Sequence, residues 1–328
     1  MRAVVVDTPG DLDRLRLEER PVPRPGPGEV AIEVAYAGCN WGDIQKRQGI
    51  YPDPVAYPAC LGAEVSGFVA ARGKGVTRLR LEQFVSAITG PDMLRGFADV
   101  VVVPDKYVIP LPPEFDARLA AAFPIVSLTA YHLIHTAHRI RRGETILVHA
   151  IGGAVGLMLT QLASAAGAHV LGTVGSLPKA ARPLELGARH VVSRDHEDFV
   201  VAAMAQTRGR GVDLVIDSLG GDILERSFDA VRPFGRVISI GEASGEPSFP
   251  IRKKLYERST SLSGFEVLHA KPGSRRWRRS TAAIVDALAA GTLTVPIAKV
   301  FPLAEIRKAQ AFLEGRTAAG KVLIAVNG

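Results

Sequence analysis

The stretch from Gly143 to Lys179 constrains the architecture of this chain more than any other. It opens with Thr145-Ile146-Leu147-Val148-His149-Ala150, an apolar run rich in β-branched residues and too short for a helix. A glycine cluster follows, Gly152-Gly153-Ala154-Val155-Gly156, and then Leu157, Leu159, Leu162 and Ala166 recur at helical spacing up to Gly167. A second apolar run, Ala168 to Thr173, completes a strand, glycine turn, helix and strand. Such a βαβ unit of about 30 residues is the scaffold that binds dinucleotides. Glycine in the turn lets the backbone approach a pyrophosphate, and the helix beyond it offers unpaired N–H groups and a positive dipole end. Read literally, the motif is Ala150-x-x-Gly153-x-x-Gly156 rather than G-x-G-x-x-G. A glycine triplet alone also marks a plain strand–helix turn, so the flanking elements carry the reading.

The 328 residues leave room for two domains, or for one with a large insertion. Before Asp116 the chain reads as short strands with Gly and Pro between them: Arg2–Asp7, Glu29–Tyr36, Val65–Ala71 and Ala98–Val103. That pattern predicts a compact, barrel-like β domain. Beyond Asp116 helical and strand patterns alternate, starting with a helix over Leu119–His138, as in a parallel sheet covered by helices. After about Thr260 the rhythm shifts again to a helix at Arg278–Ala290, a strand at Val295–Phe301, a helix at Ala304–Gly315 and a strand at Lys321–Val326.

Composition excludes several classes. Apolar residues make up 47% and charged residues 22%, ordinary for a soluble globular protein. Forty Lys and Arg against thirty-three Asp and Glu give a net charge of +7, which suits a polyanionic cofactor as well as a nucleic acid. The densest basic run, Arg275 to Arg279, is short and reads as a solvated helix start, so no nucleic-acid partner is expected. Cys39 and Cys60 are too few for a disulfide framework or a four-thiolate zinc lobe. The N-terminus lacks the pattern of a signal peptide and no apolar stretch approaches the length of a membrane span, so the cytoplasm is the expected location. His132, His135 and His138 recur three apart on one expected helix; a metal seat is conceivable, but a solvated face is the expectation.

The order β domain, nucleotide domain and β-rich tail resembles the medium-chain dehydrogenase/reductase superfamily, in its zinc-independent quinone oxidoreductase (zeta-crystallin-like) branch. The resemblance spans essentially the whole chain. Its carriers are Ala37-Gly38-Cys39-Asn40-Trp41-Gly42-Asp43, Gly49-Ile50-Tyr51, Leu61-Gly62-Ala63-Glu64-Val65-Ser66-Gly67, Ser127-Leu128-Thr129-Ala130-Tyr131, the glycine turn, Val215 to Gly221, and Gly320-Lys321-Val322-Leu323. It implies an α/β protein with a GroES-like β-rich catalytic domain at 1–120 and 264–328 and a Rossmann doubly wound parallel-sheet domain at 121–263, with the active site in the cleft between them. Zinc-dependent relatives place a Cys ligand where this chain has Asn40 and a His where it has Ala63, so no metal is expected.

Without a Lewis acid, the resemblance implies hydride transfer to an acceptor that is already activated, a quinone or a quinone-like carbonyl. Reduction of an enoyl thioester or alkenal double bond is the alternative, and a crystallin-like or RNA-binding protein with little turnover is a second one. Tyr51 is the expected proton donor or carbonyl anchor, and it also suits a packed turn beside Pro52. Asn40 is expected near the nicotinamide ribose and Thr129 at the carboxamide, although both residue types also serve turns and helices.

The second strand ends in Thr173-Val174-Gly175-Ser176 with no acid to bind a ribose 2′-hydroxyl, and Lys179 follows. A hydroxyl and an ammonium suit a 2′-phosphate, which favours NADPH. In the family the matching lysine contacts that phosphate, and this chain has Arg194 where quinone reductases carry a tyrosine. Arg316 is a further phosphate candidate. The remaining expected cofactor contacts are Gly152, Gly153, Ala154, Val155, Gly156, Ser218, Gly241, Phe265 and Lys321. A homodimer, with an edge near Ser261 to Phe265, is implied by the resemblance alone. The loop segment Arg252-Lys253-Lys254 suits an anionic acceptor or a solvated surface.

Overall fold

The computed structural model describes residues 1–327. These fall into two compact units, Met1–Leu128 with the segment from Ala270 onward, and Thr129–His269.

The first unit contains β1 (Arg2–Val6), β2 (Leu15–Glu19), β3 (Glu29–Cys39), α1 (Trp41–Gln48), β4 (Ala59–Cys60), β5 (Glu64–Arg72), β6 (Phe84–Ile88), β7 (Val100–Pro104), β8 (Val108–Pro110) and α2 (Ala117–Ala122). β3 is the long central strand. It pairs antiparallel with β5, and register shifts at Ala31/Ile32 and Val34/Tyr36 let it bend as a barrel wall must. It extends past the expected end at Tyr36 to Cys39 and so delivers Asn40 directly to α1. Ala98, expected inside a strand, makes only an isolated bridge to Ala3, and β7 begins at Val100.

The single helix expected over Leu119–His138 is instead three pieces. α2 ends at Ala122, Pro124 opens α3 (Pro124–His132), and a π turn runs over Leu133–Ala137. Proline has no N–H to continue the ladder of α2, but it fits the first position of a new helix. The break also undoes the histidine spacing. His132 is buried, bonded through Nδ1 to Thr136 Oγ1 at 3.0 Å, so the expected solvated face does not exist as such.

The second unit adds β9 (Thr145–Val148), α4 (Ala154–Ala165), β10 (His169–Val174), α5 (Ala181–Glu185), β11 (His190–Ser193), α6 (Phe199–Gln206), β12 (Val212–Asp217), α7 (Gly221–Ala230), β13 (Val231–Ser239), α8 (Ile251–Arg258) and β14 (Ser261–Gly264). All strand pairings are parallel, and the order is β11-β10-β9-β12-β13-β14. The strand order reverses between β9 and β12, the switch point where doubly wound sheets hold ligands. Leu147, Leu171, Val215 and Val237 from the strands pack with Phe199, Leu224 and Phe228 from the helices. α4 lies close on the sheet because two glycines leave room for Ile151. A Cβ on Gly156 would stand 2.5 Å from the Ile151 Cα, and one on Gly172 2.3 Å from its Cδ1.

The chain then returns to the first unit with α9 (Arg275–Ala289), β15 (Ile297–Pro302), α10 (Ile306–Glu314) and β16 (Lys321–Ala325). β16 pairs antiparallel with β3 and parallel with β15, extending the main sheet to the order β15-β16-β3-β5-β6-β8 with β7 also on β3. The basic run is a helix start: Ser274 caps α9 by accepting from Trp277 N, Trp277 is buried, and its arginines face solvent.

Candidate active site

In the first unit, α1 organises the polar side chains. Asn40 caps it in extended geometry, and Asp43 accepts from Asn40 N at 2.8 Å and from Gly62 N at 3.2 Å. Burial pushes the Asp43 carboxyl up to about 6, against the pull of Lys46. Arg47, fully buried, ties α1 to its surroundings through Gln310 Oε1 at 2.8 Å, Gly10 O at 2.9 Å and Glu314. Gly49 at φ 76° closes the helix, and Tyr51 then folds back along it. Its ring edge would lie 3.3 Å from a Cβ on Gly42, and the Lys46 ammonium stands 4.6 Å from its centroid. That ammonium donates to Asp92 O at 2.5 Å and Met93 O at 2.8 Å, so it is held over the ring by backbone.

Asn40 belongs to a second buried set. Lys321 Nζ lies 2.5 Å from Asn40 Oδ1 and 2.5 Å from Glu64 Oε1. Asn40 Nδ2 donates to Glu64 Oε1 at 3.0 Å and Gly38 O at 3.3 Å, while Glu64 Oε2 accepts from Ile125 N at 2.8 Å. An ammonium has only donors, so it forces the Asn40 oxygen toward itself and the amide nitrogen toward Glu64. Lys321 is thereby placed inside the first unit's sheet at 2% exposure, and Arg316 sits with its guanidinium 5.8 Å from the Trp41 ring.

This arrangement does not suit a metal. Both Glu64 oxygens are engaged, its neighbour is a lysine, and Asn40 and Ala63 replace the Cys and His that zinc would require. The Cys39 thiol is buried and its ionisation pushed far up by that burial. Among the described residues no three His, Cys, Asp or Glu side chains gather as a ligand set.

In the second unit, the expected residues gather at the carboxyl ends of the strands. Ala150 (φ 51°) turns the chain after β9, and Gly153 caps α4, whose first turn carries no acid. Ala154, Val155 and Gly156 therefore open a helix N-terminus backed by a bare Gly152, where a Cβ would lie 3.2 Å from both the Lys179 Cβ and O. Lys179 N donates to Ser176 O at 3.1 Å, fixing the turn after β10. Arg194 N donates to Val174 O at 3.0 Å, its NH1 to Thr173 Oγ1 at 3.0 Å, and its NH2 would lie 3.4 Å from a Cβ on Gly175. The N-terminus of α4, the turn that carries Lys179 and the Arg194 guanidinium thus lie at the carboxyl ends of β9, β10 and β11, which fits the pyrophosphate and 2′-phosphate of a dinucleotide. Ser218 and Gly241 adjoin after β12 and β13, a Cβ on Gly241 lying 3.4 Å from Ser218 O, and Phe265 N donates to Ser239 O at 3.1 Å beyond β14. Thr129 is buried on α3. Asp217 accepts from Leu219 N and Gly220 N, and burial lifts its carboxyl to about 6. Lys254 pairs with Asp229 at 2.9 Å and Lys253 with Glu257 at 3.9 Å, so these two are engaged on the surface of α8.

A GroES-like β unit and a doubly wound parallel sheet, with these residues at the strand ends, define a medium-chain dehydrogenase/reductase. The chain belongs to that superfamily, among its quinone oxidoreductase relatives, and is an oxidoreductase. Residues 26–113 match the alcohol dehydrogenase GroES-like domain and residues 186–324 the zinc-binding dehydrogenase family. It is 30% identical to a 2-haloacrylate reductase of a Burkholderia species over 98% of each chain. It is 32% identical to a quinone oxidoreductase of Pseudomonas aeruginosa over 92% of each chain. The structure of Escherichia coli quinone oxidoreductase complexed with NADPH superposes with a TM-score of 0.95 at 28% identity, covering 99% of this chain and 100% of that one. The zinc in the second family's description finds no fitting ligand set among the described residues.

Lys46 and His149 escaped the sequence reading. Lys46 sits in Gln45-Lys46-Arg47-Gln48, which looks like a solvated face. His149 did carry a signal, as a polar residue ending an otherwise apolar central strand.

Proposed function

We propose that this enzyme reduces quinones and similar activated carbonyl acceptors with NADPH and without a metal. The observation that carries this is the Asn40–Glu64–Lys321 cluster, in which an amide stands at the position of a zinc-ligand Cys and a lysine ammonium engages both that amide and the Glu64 carboxylate. NADPH, when bound, supplies a hydride from its nicotinamide ring. The residues Gly152 to Gly156 hold the pyrophosphate, and Ser176, Lys179 and Arg194 hold the 2′-phosphate. Ser218 and Gly241 at the strand ends, Thr129 and Phe265 make further cofactor contacts, Arg316 is a further phosphate candidate, and Lys321 acts through the Asn40 oxygen that it orients. Tyr51, held by Gly42 and Lys46, hydrogen-bonds the acceptor oxygen and delivers the proton that accompanies the hydride.

A second reading is reduction of a carbon–carbon double bond conjugated to a carboxylate. It is favoured by a cavity of about 590 Å³ within the first unit, lined by Tyr51 and by Lys46, Arg20 and Arg95, of which Arg20 pairs with Glu18 and Arg95 with Asp92. The exposed edge of β14 is the surface we assign to a homodimer, and two unpaired cysteines suit the cytoplasm. Sedimentation would show a monomer if the dimer assignment is wrong.

The test is NADPH consumption with a quinone, a 2-haloacrylate and an enoyl thioester side by side. Fastest turnover on the quinone is expected, and Tyr51→Phe should lower kcat by about 10²-fold while NADP⁺ binding stays unchanged. Faster turnover of either alkene overturns the quinone reading. Binding without turnover on any of them leaves the crystallin-like alternative.

A further inference from the structure

A directed chain of hydrogen bonds runs beneath the corner that holds Arg194. His149 is 2% exposed, between Thr173 and Ser227, with Phe199 edge-on to its ring at a centroid distance of 4.8 Å. The Ser227 hydroxyl donates to Ile223 O at 2.7 Å, one turn back on α7. Its single proton is thus used, and toward His149 Nε2, 2.9 Å away, it accepts. The proton of the neutral imidazole is therefore on Nε2, and Nδ1 is an acceptor. Thr173 Oγ1, 3.0 Å from Nδ1, donates to it, which leaves the Thr173 oxygen lone pairs for Arg194 NH1 at 3.0 Å. Every link has one direction: guanidinium to hydroxyl, hydroxyl to imidazole, imidazole to hydroxyl, hydroxyl to carbonyl. Burial first, and the Arg194 charge second, depress the His149 pKa to about 3, so the ring stays neutral and the chain keeps its direction.

We propose that Ser227, His149 and Thr173 are positioning residues for Arg194, fixing its guanidinium beside Gly175 at the 2′-phosphate corner and so setting the preference for NADPH over NADH. This rests on the NADPH reading above. A long cationic side chain in solution samples many rotamers, and holding one guanidinium N–H in place lowers the ordering cost of meeting a phosphate. The chain has nothing to offer a cofactor that lacks the phosphate, and its effect is confined to one of the two dinucleotides.

The experiment measures dissociation constants of NADP⁺ and NAD⁺ on the full-length protein by calorimetry. Thr173→Val keeps the shape of the side chain and removes the hydroxyl. It should weaken NADP⁺ by about 10-fold and leave NAD⁺ unchanged, and Thr173→Ser should restore NADP⁺. In an Arg194→Met background, Thr173→Val should change neither. The proposal is overturned if Thr173→Val weakens both dinucleotides equally, if it leaves their ratio intact while Arg194→Met abolishes it, or if it acts further in the Arg194→Met background. An Arg194→Met variant that keeps its preference for NADP⁺ contradicts the phosphate assignment itself. If Thr173→Val does not fold, Ser227→Ala interrupts the chain at its far end and must shift the same ratio in the same direction, or the proposal fails.

Discussion

The two polar regions of this enzyme are built on opposite terms. Around α1, Lys321 and Glu64 are 2% and 0% exposed, and each meets its counter-charge and its hydrogen bonds inside the protein. At the carboxyl ends of β9, β10 and β11, Lys179 and Arg194 flank a helix N-terminus whose first turn holds no acid. A closed set satisfies its own charges and gives geometry; an open helix N-terminus with basic residues beside it carries a positive potential that suits an anion. The first holds the Asn40 amide in one orientation, and in the proposed reaction the second receives the phosphorylated cofactor.

Breaking the closed set should have the largest effect. Lys321→Met strands the buried Glu64 carboxylate and should cost about 3–5 kcal/mol in denaturant unfolding, with much of the loss recovered when Glu64→Gln is added. Equal stability of Lys321→Met and the wild type would show that the pair is not buried as described. At the open set, Lys179→Ala should weaken NADPH binding by about 10-fold and leave NADH binding unchanged, a loss that calorimetry would resolve. A smaller change is expected from Gly42→Ala. The added methyl meets the Tyr51 ring at 3.3 Å and displaces it, so kcat should fall a few-fold with NADP⁺ affinity unchanged.

A separate effect concerns pH. Burial raises the Asp217 carboxyl from 3.8 to about 6, so between those values the folded protein holds a proton that the unfolded chain has released. Stability contributed by this group is present at low pH and is lost as pH rises through about 6. Asp217→Asn should flatten the stability curve between about pH 4 and 6 by up to ~1.4 kcal/mol per pH unit. An unchanged slope would place that titration elsewhere, for instance on Asp43.

The glycine turn was legible because backbone conformation demands particular residues: Gly153, Gly156 and Gly167 stand where a cap, a close helix–strand approach and a helix end require them. The break at Pro124 was equally written in the chain, but the apolar spacing on both sides masked it. Lys321 and Glu64 were not legible as partners. They lie far apart in the chain and meet because β16 pairs with β3 while β3 pairs with β5. Lys46 was hidden for a related reason, since its partners are the carbonyls of Asp92 and Met93, which have no side-chain signature.

The proposed reduction by NADPH needs no metal, with the Asn40 amide held by Lys321. The direct measurement is quinone-dependent NADPH oxidation by protein dialysed against a strong chelator, before and after zinc is added back. Full turnover after dialysis, unaffected by added zinc, is the expected result. Loss of turnover on dialysis and its recovery with zinc would contradict the account.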